Sequence, residues 1–108
     1  MNNLPDKELR SIIKDLKPTF LHTPTFEEQG KIIVMLGSLG DERCINPLSQ
    51  MLSHRDENLR ILAINSLIKI RSEKIFSILR QCLTDESPAV RDAAKTSLEI
   101  IGHMRSSF

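Results

Sequence analysis

Residues 56–71 (DENLRILAINSLIKIR) and 87–102 (SPAVRDAAKTSLEIIG) are two versions of one helix, offset by 31 positions. The offset pairs Leu59 with Val90, Arg60 with Arg91, Ala63 with Ala94, Leu67 with Leu98 and Ile70 with Ile101. It continues upstream of each helix, where Leu48 pairs with Leu79, Gln50 with Gln81, Leu52 with Leu83 and Ser53 with Thr84. A weaker echo sets Leu21, Ile32, Leu36 and Leu39 in the same relation to Leu52, Ala63, Leu67 and Ile70. A helix pair this short cannot bury its apolar stripe alone, so copies must stack, each covering the next. Three stacked helical hairpins account for residues 5 to 102.

Local signals agree with six helices and no strand. Leu9, Ile12, Ile13 and Leu16 follow the spacing of one buried helical face. Pro5 suits the start of that helix and Pro18 its end. Thr25 and Glu28 form a capping box ahead of the apolar face Ile32, Met35, Leu36 and Leu39, which Gly40 closes. Ile45, Leu48, Met51 and Leu52 make the third helix, and Asp56 caps the fourth. Ile75, Leu79, Cys82 and Leu83 make the fifth. Ser87 caps the sixth, with Pro88 in its first turn and Gly102 beyond its end. Leu67 and Leu98, matched in mid-helix, are both expected to be nearly fully buried.

Composition narrows the function classes. The formal net charge is +1, so no strong field favours nucleic acid or an anionic membrane. The longest apolar runs, such as Ile32 to Leu36, fall far short of the ~20 residues a membrane helix requires, and no signal peptide is visible. Cys44 and Cys82 both sit in apolar helical patterns, which fits a reduced, cytoplasmic setting better than a disulfide or a metal site. His22, His54 and His103 each lie in or beside a loop, with no second histidine three or four positions on. The glycines of GSLGDE lack the lysine and the preceding strand of a phosphate loop. Paired acids such as Glu27–Glu28 and Asp56–Glu57 stand at helix starts, where the helix dipole favours carboxylates. No catalytic constellation emerges, and the expectation is a protein that is not an enzyme and carries no cofactor.

The segment LGDERCINPLSQMLSHRDENLRILAINSLIKI, Leu39 to Ile70, resembles a HEAT-like repeat of the short bacterial kind found in phycobilisome-lyase-like proteins. A Leu-Gly-Asp turn, a first helix, an acidic loop and an alanine-rich second helix carry the resemblance. RSEKIFSILRQCLTDESPAVRDAAKTSLEIIG is closer still, through Asp85, Pro88, Val90, Arg91, Ala93, Ala94 and Gly102. The resemblance implies a short right-handed α-solenoid of the armadillo type, with repeats near 5–40, 41–71 and 72–102 and a tail at 103–108. It also implies that Arg60, Arg91 and Asp85 belong to a structural ladder between repeats. His54 and Thr23 stand in the aspartate position of the other two repeats, and Gln29 replaces the first arginine, so the ladder is expected to be interrupted. The chain lacks the His-Glu pair of the metal-binding hydroxylases that use such repeats.

The functional expectation is a scaffold or adaptor that binds another protein, with self-association left open. Nucleic-acid binding is an alternative, opposed by 14 acids interspersed among the basic residues and by the lack of Trp and Tyr. Chromophore handling, as in bilin lyases, is a second, and needs a larger cavity than three hairpins readily make. One stripe is sharply placed. Ile61, Ile64 and Ile68 correspond to Asp92, Lys95 and Glu99 in the last repeat and to Gly30, Ile33 and Gly37 in the first. Either these isoleucines pack on a neighbouring repeat and the charges cap the stack, or they form an open partner site rimmed by Asn65, Lys69, Asp92, Lys95 and Glu99. Burial separates the two.

Overall fold

The computed structural model describes residues 4–14 and 25–106; the expectations for Leu16, Pro18, Leu21, His22 and Thr23 lie outside them. Six α-helices follow one another: α1 Asp6–Lys14, α2 Phe26–Leu39, α3 Ile45–Gln50, α4 Glu57–Leu67, α5 Lys74–Gln81 and α6 Pro88–Ser106. Single 3-10 turns extend the short first helices, at Glu42–Cys44, Met51–Ser53 and Cys82–Thr84. No strand occurs among the described residues.

The caps form where the sequence places them. Thr25 Oγ1 accepts from the Glu28 amide at 3.1 Å, and the Thr25 amide donates to Glu28 Oε1 at 3.0 Å. Asp56 Oδ1 accepts from the amides of Asn58 and Leu59. Gly40 closes α2 at φ 63°, a left-handed angle that favours glycine. The sixth helix departs from expectation at its far end. It continues through Gly102 to Ser106. Gly40 is the one glycine with positive φ among the described residues, and a Cβ at Gly102 would meet open space, so nothing there turns the chain.

The second helices α2, α4 and α6 lie in a row with α4 in the middle, while α3 packs on α4 and α5 on α6. Two glycines fix how α2 meets α4. A Cβ on Gly37 would stand 2.6 Å from Ser66 Cβ and 2.8 Å from its Cα; one on Gly30 would stand 3.4 Å from a Leu62 methyl and 3.8 Å from one of Leu59. The flank Gly30, Ile33 and Gly37 therefore faces Leu59, Leu62 and Ser66. Moved on by one repeat, the same contact sets Ile61, Ile64 and Ile68 against Val90, Ala93 and Ser97. Burial agrees, with Ile33 and Ile64 at 0 % exposure, Val90 at 1 % and Ser97 at 2 %.

Three apolar assignments change for one reason, the position of each residue in the stack. On α2, Ile33 is buried by α4, whereas Met35 is 45 % exposed. Met35 corresponds to Ser66, which faces the preceding second helix, and α2 is the first of the row. Leu67 is fully buried, but Leu98 is only partly buried, because no helix follows α6 among the described residues to cover it. Leu83 at the end of the fifth helical segment is exposed for the same reason.

Arg43 secures α1. Its guanidinium donates to the Leu4 carbonyl at 2.8 Å, pairs with Asp6 and grips Asp41 at 2.6 Å. The Arg43 hydrogen bonds hold the Asp41 carboxyl below the usual carboxylate range. That contribution is present at neutral pH and is lost as the pH falls through the lowered value.

Two substitutions test this packing. Leu67→Ala should cost roughly 2–5 kcal/mol in urea titration, and Leu98→Ala clearly less. A cost at Leu67 below about 1 kcal/mol would mean that the repeats are out of register. Gly30→Ala, which has room for its methyl, should stabilise by up to about 1 kcal/mol through helix propensity. Gly37→Ala should instead destabilise by about 1–3 kcal/mol, since the Ser66 backbone must move.

Candidate interaction surface

Arg60 is buried at 6 % exposure and bridges two repeats. Its Nη1 donates to the carbonyls of His54 at 2.7 Å and Arg55 at 3.1 Å, within its own loop. Its Nη2 donates to Asp85 Oδ1 at 3.1 Å, in the next loop. The Nε atom is buried without a partner, so two arms of the fork carry the whole connection. Asp85 Oδ1 also accepts from the Ser87 amide at 2.9 Å, and Arg91 Nη1 donates to the Asp85 carbonyl at 2.7 Å. Arg91 thus repeats the contact of Arg60 with its own loop, and is exposed. His54 takes over part of the aspartate's work. Its Nδ1 accepts from the Asp56 amide at 2.9 Å, the bond that Asp85 makes to Ser87 one repeat later. The edge of Phe26 covers its ring at a centroid separation of 5.7 Å. Glu57 adds a second inter-repeat bond by accepting from the Ser87 hydroxyl.

The isoleucine stripe is not an open site. Ile64 is fully buried, and Ile61 and Ile68 are partly buried against the core, all on the α4 flank that faces α6. Asp92, Lys95 and Glu99 are exposed on the equivalent flank of α6, at the end of the row, and so do not rim an apolar patch. Asn65 and Lys69 lie elsewhere, on a strip that remains accessible.

That strip is periodic. Val34, Asn65 and Thr96 are equivalent by the 31-residue offset, and all three are exposed. So are Ser38, Lys69 and Ile100, and so are Glu27, Asn58 and Ala89. Val34 is 42 % and Ile100 45 % exposed, the largest apolar groups on it. Lys31 stands beside it and pairs with Glu27 at 3.7 Å. Sequence reasoning named Asn65 and Lys69 but missed Val34, Thr96, Ser38 and Ile100. The signal was present, since each is fixed by the same offset, one position past the buried Ile33 and Ile64 or its helical neighbour.

Other chemistry is sparse. Burial pushes the Cys44 thiol up to about 11 and raises that of Cys82 as well, so both are protonated at neutral pH and poor nucleophiles. Among the described residues no three of His, Cys, Asp and Glu gather closely enough to hold a metal ion. An open cleft of about 340 Å³ sits above Arg60, lined by Leu52, Ser53, His54, Arg55, Asp85 and Glu86. It is a gap between two loops, with charges of both signs. No described helix is long and apolar enough to cross a membrane.

In comparison with known families, residues 13–99 match HEAT repeats. The chain belongs to the HEAT repeat family. No curated protein matches it. HEAT repeats commonly serve as protein-interaction scaffolds and are generally non-enzymatic. In this HEAT protein the rung from Arg60 to Asp85 joins the second and third repeats.

Removing one partner of a buried, hydrogen-bonded charge pair leaves the other uncompensated. Arg60→Ala should therefore destabilise by about 3–5 kcal/mol in thermal or urea unfolding. Arg91→Ala removes an exposed copy of the same side chain and should cost no more than ~1 kcal/mol. Equal losses at the two positions would contradict the ladder.

Proposed function

We propose that this chain is a non-catalytic interaction module that holds a segment of another protein across the exposed strip of α2, α4 and α6. The observation that carries this reading is the threefold repetition of accessible positions, Val34–Asn65–Thr96 and Ser38–Lys69–Ile100, on one rigid helical layer. With neighbouring helices about 8–10 Å apart, the three together span roughly 16–20 Å. An extended segment of about five or six residues crosses that width.

The strip's chemistry suits such a segment. Asn58 and Asn65 stand two helical turns apart on α4, and their amides both donate and accept, as a peptide backbone requires. Val34 and Ile100 offer apolar contacts at the two sides of the layer. Lys69 adds a charge that favours an acidic side chain nearby. The surface is preformed, so little ordering on this side opposes association. Duplex DNA fits less well, since Lys31 is already paired with Glu27 and the strip holds no run of basic residues.

The test compares captured partners. Asn65→Asp combined with Lys69→Glu changes two exposed side chains and should leave the melting temperature nearly unchanged. Tagged wild-type chain and the double variant are used to capture proteins from the source cell, with quantification by mass spectrometry. A partner lost with the variant supports the strip; an unchanged set of partners refutes it. Ile64→Asp serves as the contrast, because it buries a charge and should unfold the protein rather than alter a surface.

A further inference from the structure

Gly30 meets Leu62 and Gly37 meets Ser66, so the contacts advance together and α2 and α4 run parallel. The 31-residue offset carries the same relation on to α6, which sets Val34, Asn65 and Thr96 level with one another. Helices packed in this way stand about 8–10 Å apart. A β-strand returns a side chain to one face every ~7 Å and falls out of step with that spacing. A polyproline II segment has about three residues per turn and a rise of about 3.1 Å, so it returns one every ~9 Å. Resting on the interaction reading above, we infer that the strip takes a polyproline II segment with an acidic side chain at its centre and an apolar side chain three residues to either side.

The order of those side chains follows from the groups on the strip. Lys69, at the end of the central helix, is exposed and has no acidic partner among the described residues. Lys31, by contrast, is already paired with Glu27. An acid crossing α4 therefore meets Lys69, with the Asn65 amide one turn away as a further donor. The exposed apolar groups stand on the two outer helices, Val34 on α2 and Ile100 on α6. Six steps of about 3.1 Å give a span near 19 Å, within the roughly 16–20 Å of two helix spacings. A polyproline II backbone makes no hydrogen bonds of its own and stays solvated, which suits a helical surface with no sheet edge to pair with. Its stiffness also reduces the ordering that opposes association.

The experiment is fluorescence anisotropy on the full chain with four labelled synthetic peptides. The first is Leu-Pro-Pro-Glu-Pro-Pro-Leu between glycine ends. The second has glutamine in place of glutamate, the third alanine in place of all four prolines, and the fourth a single proline between successive anchors. Glutamine should weaken binding by about threefold to fivefold, the size of an exposed ion pair, and added salt should shrink that difference. The third and fourth peptides should also bind more weakly than the first. Lys69→Glu should turn the preference toward a peptide with lysine at its centre. Ile100→Ser should weaken the first peptide with the melting temperature unchanged. The inference is overturned if glutamine, alanine or the shorter spacing costs nothing, or if no peptide binds saturably. If the peptides fail while Asn65→Asp with Lys69→Glu still loses a partner from the cell, the segment's chemistry is wrong and the interaction reading stands. If both fail, that reading falls as well.

Discussion

Everything in this structure depends on the close approach of one second helix to the next. A hairpin of two short helices exposes too much apolar surface to stand alone, and the cure is a neighbour on each side. Between α2 and α4 the approach is tight enough that Gly37 cannot carry a side chain without displacing the Ser66 backbone. Between α4 and α6 the equivalent place holds Ile64, which is fully buried. Two different fillings therefore satisfy one spacing, and the row of three helices stays regular enough to repeat its exposed positions.

The arginine rung adds a second kind of constraint. Packing along the helices is non-directional, whereas Arg60 fixes two loops by directed bonds, to His54 and Arg55 on one side and Asp85 on the other. The guanidinium suits this because its fork reaches carbonyls and a carboxylate together, and a lysine could not replace it. The unpaired Nε shows that the fit is incomplete. His54 shows how one function of the aspartate survives its loss. A ring nitrogen accepts the amide two residues on and so keeps the turn, but it offers no carboxylate to an arginine.

Much of this was legible in the sequence, and for physical reasons. The repeat length, the caps at Thr25, Asp56 and Ser87 and the stop at Gly40 are local, and local chemistry decides them. The Arg60–Asp85 pairing could be anticipated from the family resemblance. What the sequence left open was which neighbour covers each face. Ile61, Ile64 and Ile68 look the same in a helical pattern whether water or another helix lies opposite. Met35 was read as core from its helical spacing and Leu98 from its match to Leu67, yet both lie at ends of the row. Gly102 carries a stop signal that is not used, since a glycine permits a left-handed turn without compelling one. The accessible strip was only half seen, through Asn65 and Lys69, because exposed positions leave no apolar signature.

The uneven distribution of directed bonds has a consequence for how the molecule opens. The second and third hairpins share the Arg60 rung and the bond between Glu57 and Ser87. The first hairpin has Gln29 where the arginine would be and faces His54 in place of an aspartate. It is held to the rest through α2 packing and the grip of Arg43 on Asp6 and Leu4. Thermal energy therefore meets two cooperative units of unequal strength within one small chain. Amide protons of α1 are expected to exchange with solvent first, and those of α4, which is covered on both flanks, last.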